Sequence, residues 1–365
     1  MLFKKRHHKF VLPKYLSFGI MISLFVVAFF LYFKSGIPDP EKLSQYPQKK
    51  GAISTSSENF FGFEDRERFP SITDPKYVEA IKANEYLHNN DGVYTFVFKG
   101  NRYVYPVSIL GFHHIINDTL GNNPVAITLC LLTNSATVYS RSIEGNVLTF
   151  GVLGILYNGN LVMFDDKTNS YWIQLTGDSI FGSTSGKRLN TYLPMEFTYW
   201  EKIKGQPNLK VLYPKREMKF YRDFFETSMA SGLGLHALGN KKVDNRFSPY
   251  TLGIGIEVQN ERKFYELEKI FNERFIEDSV GGWSLLLVHD EKLGIVKMFR
   301  RYIDGLELTF KKEKEHIVDE QTGSVWDMDG FAISGLLKGK QLEKPNYTQV
   351  YWFAWYAFFP ETMSY

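Results

Sequence analysis

The chain writes one long pattern twice, and that repetition limits what it can fold into more than any other feature. The stretch from Arg102 to Phe150 holds R-Y-V-Y-P-V-S-I-L, then I-I-N-D-T-L-G from Ile115 and R-S-I-E-G-N-V-L-T-F from Arg141, each with a counterpart 160 positions later. Arg262 and Tyr265 answer Arg102 and Tyr105. F-I-E-D-S-V-G answers the second piece and R-Y-I-D-G-L-E-L-T-F the third, without a gap. The register then slips by six positions and, within the next block, by one more. Asp166-K-T-N-S-Y-W is matched by Glu320-Q-T-G-S-V-W, and Gly177-x4-Gly182-x3-Gly186 by Gly330-x4-Gly335-x3-Gly339. Spaced agreement over such a length implies two copies of one supersecondary unit, packed as a pseudo-symmetric pair.

A chain of 365 residues can bury a sizeable core, and the duplication favours one body built from two halves over two unrelated domains. Many short strands and few short helices indicate a mainly β or α+β fold. A closed barrel and a two-sheet sandwich are both compatible with the pattern. The net charge of +3 gives no case for a nucleic-acid partner.

The amino terminus carries a different signal. Residues 16–33, L-S-F-G-I-M-I-S-L-F-V-V-A-F-F-L-Y-F, hold no charge and would span about 27 Å as a helix, close to the hydrocarbon thickness of a bilayer. Lys4, Lys5, Arg6, Lys9 and Lys14 precede the run and Lys34 follows, so the positive-inside bias places the amino terminus in the cytoplasm. The run ends without the small residues of a cleavage site, which favours an uncleaved anchor over a signal peptide. The expected layout is a basic cytoplasmic leader (1–15), a single-pass anchor in the cell membrane (16–33) and a Pro/Ser/Lys stalk (34–68). A first half (69–211), a bridge (212–248) and a second half (249–365) then lie on the extracytoplasmic side.

Within the first half, Asp74 is expected to cap a short helix beginning at Pro75. Gly92 to Lys99 and Asn101 to Tyr105 read as two strands. Pro106 opens a second helix, V-S-I-L-G-F-H-H-I-I, on which His113 and Asn117 would share a face. Val125 to Thr133 alternates as a strand, with Val125, Ile127, Leu129 and Leu131 on one side and Ala126, Thr128, Cys130 and Leu132 on the other. Phe197 to Lys204 reads as a helix. The terminal V-Y-W-F-A-W-Y-A-F-F from Val350 is too short to span a bilayer and reads as a core strand.

These residues resemble the family catalogued as domain of unknown function 3179, found in bacteria and archaea. The likeness runs through Pro70-S-I-T-D-P-K, Tyr105-P-V-S-I-L, His113-H-I-I-N-D-T-L-G, Leu129-C-L-L-T-N-S-A and Leu148-T-F-G-V. It continues through Leu161-V-M-F-D, Trp172-I-Q-L-T-G and Trp352-F-A-W-Y-A-F-F-P-E-T. The family's cysteine motif reads like C-P-L-T-G-S, and some relatives carry selenocysteine at the Cys130 position, so the resemblance implies a redox or nucleophilic thiol. Leu131 stands where the family has proline and Asn134 where it has glycine. The resemblance also aligns His113 with the family's histidine, while His114 replaces an acidic residue.

The repeat itself sorts structural from functional candidates. Residues that hold the unit together should recur in both copies; residues of a single active site need not. Asp118 recurs as Asp278, Arg141 as Arg301 and Trp172 as Trp326, and their expected role is structural. Cys130 instead faces Asp290, His113 faces Glu273, Asn117 faces Glu277, Thr133 faces Leu293 and Gln174 faces Met328.

A thiol needs a cationic or hydrogen-bonding neighbour to ionise near neutrality, and His113 is the expected activator of Cys130. Asn117, Thr133, Asn134 and Gln174 are the expected binding residues. Cys130 is the only cysteine, so no disulfide can form within the chain and turnover would need an external thiol or redox partner. The rival readings are a non-catalytic scaffold whose groove between the copies binds a ligand or partner, and copper binding by His113, His114 and Cys130. No dinucleotide fingerprint, phosphate loop or Ser/His/Asp set stands out, and no cofactor is expected.

Overall fold

The computed structural model describes residues 59–365 apart from 63, 64, 67, 215–231 and 314–315. The leader, the anchor and nearly all of the stalk lie outside the described residues, as does the middle of the bridge. Among the described residues no helix is long and apolar enough to cross a membrane.

The body is mainly β, and its element order is written twice. The strands Gly92–Phe98 and Asn101–Pro106 pair as an antiparallel hairpin and lead into the helix Val107–His113; Leu252–Val258, Glu261–Glu266 and Leu267–Glu273 do the same. Each helix feeds a three-strand meander, Ile115–Leu120, Asn123–Cys130 and Ser135–Ser140 in the first half and Phe275–Val280, Trp283–Asp290 and Ile295–Arg300 in the second. A small hairpin follows, and then an outer antiparallel sheet, Phe150–Tyr157, Asn160–Asp165, Tyr171–Ile173 and Ser179–Phe181, answered by Phe310–Glu313, His316–Asp319, Val325–Trp326 and Ala332–Ser334. The first hairpin of each half is completed by a late antiparallel strand on one edge and a short parallel strand, Leu209–Leu212 or Met363–Ser364, on the other. Among the described residues each sheet runs as an open row between two edge strands.

The alternation along Asn123–Cys130 is used on both faces. Val125, Ile127 and Leu129 enter one core with Tyr94, Ile109 and Leu131, whereas Ala126 and Cys130 enter another with Phe150, Leu161 and Trp172. A strand covered on both sides explains why this stretch carries almost no polar residue.

The halves meet through late strands exchanged across the boundary. Tyr347–Tyr351 lies along Ser135–Ser140 of the first half, and Glu196–Tyr199 lies along Ile295–Arg300 of the second. Tyr351 N donates to Thr133 O at 3.0 Å, and the Thr198 hydroxyl donates to Leu293 O.

Several local expectations are corrected. No helix starts at Asp74, which sits at φ +54°. Instead Tyr77–Val78 is a strand, tied by the Tyr77 hydroxyl to Asp118 at 2.6 Å, and only Ala80–Ala83 is helical. The helix after Pro106 stops at His113 because His114 turns left-handed at φ +59° and the β-branched Ile115 and Ile116 pair with Thr128 and Ile127. Asn117 is therefore on a strand and does not share a helix face with His113. The strand expected to run to Thr133 ends at Cys130. Phe197 to Lys204 divides into the strand Glu196–Tyr199 and the helix Trp200–Ile203. The terminal aromatic run does likewise: it stays extended to Tyr351, then coils as the helix Trp352–Phe358, burying Trp352, Phe353, Ala354 and Trp355.

Candidate functional site

The residues that recur in both halves make the same bonds twice. The side chains of Arg141 and Arg301 staple strands from within: Nε donates to Val125 O at 3.1 Å and to Leu285 O at 3.0 Å, and NH1 donates to Leu148 O at 2.7 Å and to Leu308 O at 2.5 Å. The Trp172 indole donates to Asp165 at 2.9 Å and Trp326 to Asp319 at 2.9 Å. The aspartates differ: Asp118 accepts the hydroxyl of Tyr77, which is itself 3.0 Å from that of Tyr105, whereas Asp278 accepts the hydroxyl of Tyr265, the counterpart of Tyr105, directly at 2.9 Å. Buried donors held this way leave no orphaned polar groups, which is the structural role expected of them. One recurring glycine pair has a steric reason: a Cβ on Gly182 would lie 2.4 Å from Ser170 Oγ, and one on Gly335 would lie 2.5 Å from Ser324 Cα.

Asn117 belongs with this set despite differing from Glu277. Its Oδ1 accepts Phe150 N–H at 2.8 Å, and Glu277 Oε1 accepts Phe310 N–H at 2.7 Å. Two residue types do one job. His113 is anchored through Nδ1 to Pro70 O at 2.6 Å and packs edge-on against Phe112. His114 bonds Leu129 O at 3.0 Å, and burial pushes its pKa down to about 4, so it is neutral over the ordinary pH range.

Cys130 lies at the end of its strand with 2% of its surface exposed. Burial pushes its thiol up. The Thr133 hydroxyl and the backbone at Leu161, Thr133 and Leu132 act in the opposite direction, favouring the charged form. No imidazole is among these groups. The turn that supplies the donors closes at Asn134, whose φ of +51° suits asparagine nearly as well as glycine; its side chain takes the Tyr94 hydroxyl. Leu131 fills the space above Gly111, where a Cβ would come within 2.9 Å of it.

Behind Thr133 stands a neutral polar network. Thr133 Oγ1 and Ser135 Oγ are 2.9 Å apart, Ser135 donates to Gln174 Oε1 at 2.8 Å, and Asn160 Nδ2 reaches Thr133 Oγ1 at 2.9 Å and Gln174 Oε1 at 3.0 Å. Gln174 Nε2 donates in turn to Thr128 Oγ1 at 3.0 Å. All five side chains are buried. The sequence pointed to Thr133 and Gln174 but missed Thr128, Ser135 and Asn160. Thr128 faces Val288 and Ser135 faces Ile295 across the repeat, so the same comparison could have found these two. Asn160 falls where the register slips, which hid it.

In the second half the same turn holds an anion. Asp290 occupies the Cys130 position, its Oδ1 accepting Leu293 N–H at 3.1 Å and its Oδ2 accepting Lys297 Nζ at 3.0 Å. Lys297, at the Thr137 position, is completely buried and also donates to Asp329 at 2.9 Å. Burial works against its charge, but Glu196, Asp329 and Asp290 outweigh that and hold its pKa above the ordinary lysine value. Arg102 completes the cluster, 3.6 Å from Glu196 and 3.8 Å from Asp329.

The thiol itself packs among Ile115, Phe150, Leu161 and Trp172, and the bridge lies against the turn that follows it. The helix Leu233–His236 packs so closely that a Cβ on Gly234 would fall 2.6 Å from Leu132 O, and one on Gly159 would fall 2.5 Å from Gly234 O. Among the described residues no group of three or more His, Cys, Asp or Glu side chains could hold a metal ion.

The family model described as protein of unknown function (DUF3179) matches residues 66–362. No curated protein and no solved structure matches the chain.

Proposed function

The chain belongs to the DUF3179 family, and from that premise we propose that it is a membrane-anchored, extracytoplasmic thiol protein whose reactive group is Cys130. One observation carries the reading: Cys130 ends its strand at a turn where the Thr133 hydroxyl and the backbone at Leu161, Thr133 and Leu132 favour charge on the sulfur, and the corresponding turn of the second half holds the carboxylate of Asp290. Donors fixed in place around an atom stabilise negative charge there without reorganising, which is what a thiolate or a sulfenate oxygen requires. Thr133 and the turn's backbone therefore take the activating role first expected of His113. With no cation acting on it among the described residues, the buried thiol stays protonated at neutral pH, and its chemistry proceeds through the small fraction in which its cover has moved.

The redox step balances with a hydroperoxide as oxidant. The thiolate attacks one peroxide oxygen; the S–O bond forms, the O–O bond breaks, and the leaving oxygen departs as water or alcohol, giving the sulfenic acid. An external thiol then displaces water to form a mixed disulfide, and a second external thiol releases Cys130.

Intact-mass measurement after hydrogen peroxide and a sulfenate-trapping nucleophile tests this. The wild type should gain one adduct on Cys130, and Thr133→Val should gain much less. A folded protein that stays unmodified while a reference thiol is consumed would favour the rival scaffold, in which Cys130 only packs.

The repeated element order supports the finer architecture as well: two related halves, 69–211 and 249–365, joined by the bridge 212–248; the uncharged run 16–33 behind its basic leader supports a single span ahead of them. Protease added outside intact cells should reach the 59–365 body and leave a short membrane-protected amino-terminal fragment. Full protection of the body would overturn that orientation.

A further inference from the structure

A cleft between the halves plays no part in the thiol chemistry, and its residues do not overlap the network around Cys130. It has two chambers, of about 350 Å³ and about 430 Å³, which share Thr176, Arg188, Glu257 and Phe359. Each volume lies in the range of small-molecule sites.

The partition between the chambers is electrically closed on itself. Arg188 from the first half bonds Glu257 from the second at 2.7 Å, and its Nε donates to Thr176 O at 2.8 Å. Arg262 bonds the other Glu257 oxygen at 2.6 Å and lies over the Phe359 ring at 5.0 Å, while Asp178 sits 3.4 Å from Arg188. Two guanidinium groups and two carboxylates neutralise one another in the partition, and the further carboxylate, Glu361, lies in the larger chamber, so the smaller chamber presents no uncompensated charge to attract an ion.

The rest of the smaller chamber is uncharged and polar. Thr137, Asn190, Thr191, Gln259, Asn346 and Thr348 line it together with the rings of Tyr347, Trp355 and Phe359. Every one of those six side chains can both donate and accept a hydrogen bond. Thr137, 5% exposed, closes the chamber wall beside the Tyr139 hydroxyl. Paired donor and acceptor groups beside aromatic carbon match a ligand that has hydroxyls on its rim and C–H faces on its ring.

We propose that this chamber binds a neutral saccharide of one or two rings. Because its walls come from both halves, the ligand would bridge them.

The test is calorimetric titration of the folded protein with D-glucose, N-acetyl-D-glucosamine and maltose, with acetate and methylammonium as charged controls. At least one sugar should give saturable heat and neither ion should. Thr137→Val and Asn346→Ala should each weaken the binding several-fold, whereas Cys130→Ser should leave it unchanged. Absence of saturable binding by all three sugars overturns the proposal, as does tighter binding of acetate or an affinity that neither wall variant alters. Because Cys130→Ser removes the thiol alone, failure here and failure of the thiol reading are distinguishable.

Discussion

In the first half the strand Asn123–Cys130 ends on a thiol backed by neutral hydroxyls and amides, whereas in the second the strand Trp283–Asp290 ends on a carboxylate backed by a buried lysine. The scaffolding around the two ends is alike: arginine staples, indole-to-aspartate bonds and a backbone N–H aimed at the terminal side chain. What differs is how each interior compensates its polar group. A buried ion pair depends on keeping both partners, because removing one strands the other charge in a poorly solvating medium. A neutral network loses less when one member is removed. The comparison shows that one turn geometry serves an anion in one place and a masked thiol in the other, and that the difference lies in a few side chains behind the turn.

The largest effect should come from breaking the ionic side. Lys297→Met is expected to lower stability by about 3–5 kcal/mol, since it leaves Asp290 buried without its cation. Its counterpart Thr137→Val should cost far less, and urea midpoints would show the contrast. Equal losses would mean that the two interiors are not organised differently. Cys130→Asp should be damaging alone and partly rescued by Thr137→Lys, which rebuilds the second half's pair in the first.

Next in size is an acid effect centred on the first half, although burial also lowers the pKa of the half-buried His289 in the second. His114 is neutral when buried, with its pKa lowered from 6.5 to about 4, while its counterpart Arg274 is exposed. A base whose folded pKa is depressed contributes stability in full above its unfolded value and loses it as pH falls towards the folded one. The loss should therefore fall between pH 6.5 and about 4 and amount to about 3 kcal/mol. His114→Asn, which tolerates the left-handed turn, should flatten that limb of the stability-against-pH curve. An unchanged limb would assign it to carboxylates elsewhere.

A smaller loss, about 1–3 kcal/mol, is expected for Gln174→Met, which installs the second half's residue and leaves Ser135, Asn160 and Thr128 without shared partners. Thermal denaturation would measure it. Gly234→Ala, whose Cβ would meet the backbone oxygen of Leu132, should lift the bridge helix at some cost in stability and raise the rate of Cys130 alkylation several-fold.

Much of the frame was legible because the repeat displays it. Arg141 with Arg301 and Trp172 with Trp326 are the same residue types at matched positions, and identical bonds follow. The chemistry was less legible for particular reasons. Asn117 and Glu277 looked like a functional difference, yet a carboxamide and a carboxylate oxygen accept the same backbone N–H. The periodicity that placed His113 and Asn117 on one helix could not register the left-handed His114, a single dihedral change that converts the next residues to strand. The terminal aromatic run fits strand or helix equally well until tertiary packing decides. Backbone donors around the sulfur carry no side-chain signature at all, so the features that most affect Cys130 had no letters to read.

The most direct test is the rate of Cys130 alkylation in the native protein as a function of pH, compared among wild type, Thr133→Val and His113→Ala. The apparent midpoint should lie above that of an ordinary thiol, as burial dictates, rise further in Thr133→Val and stay in place in His113→Ala. A midpoint indifferent to Thr133 but moved by His113, or a sulfur that reacts only once the chain unfolds, would contradict the donor turn as the origin of reactivity.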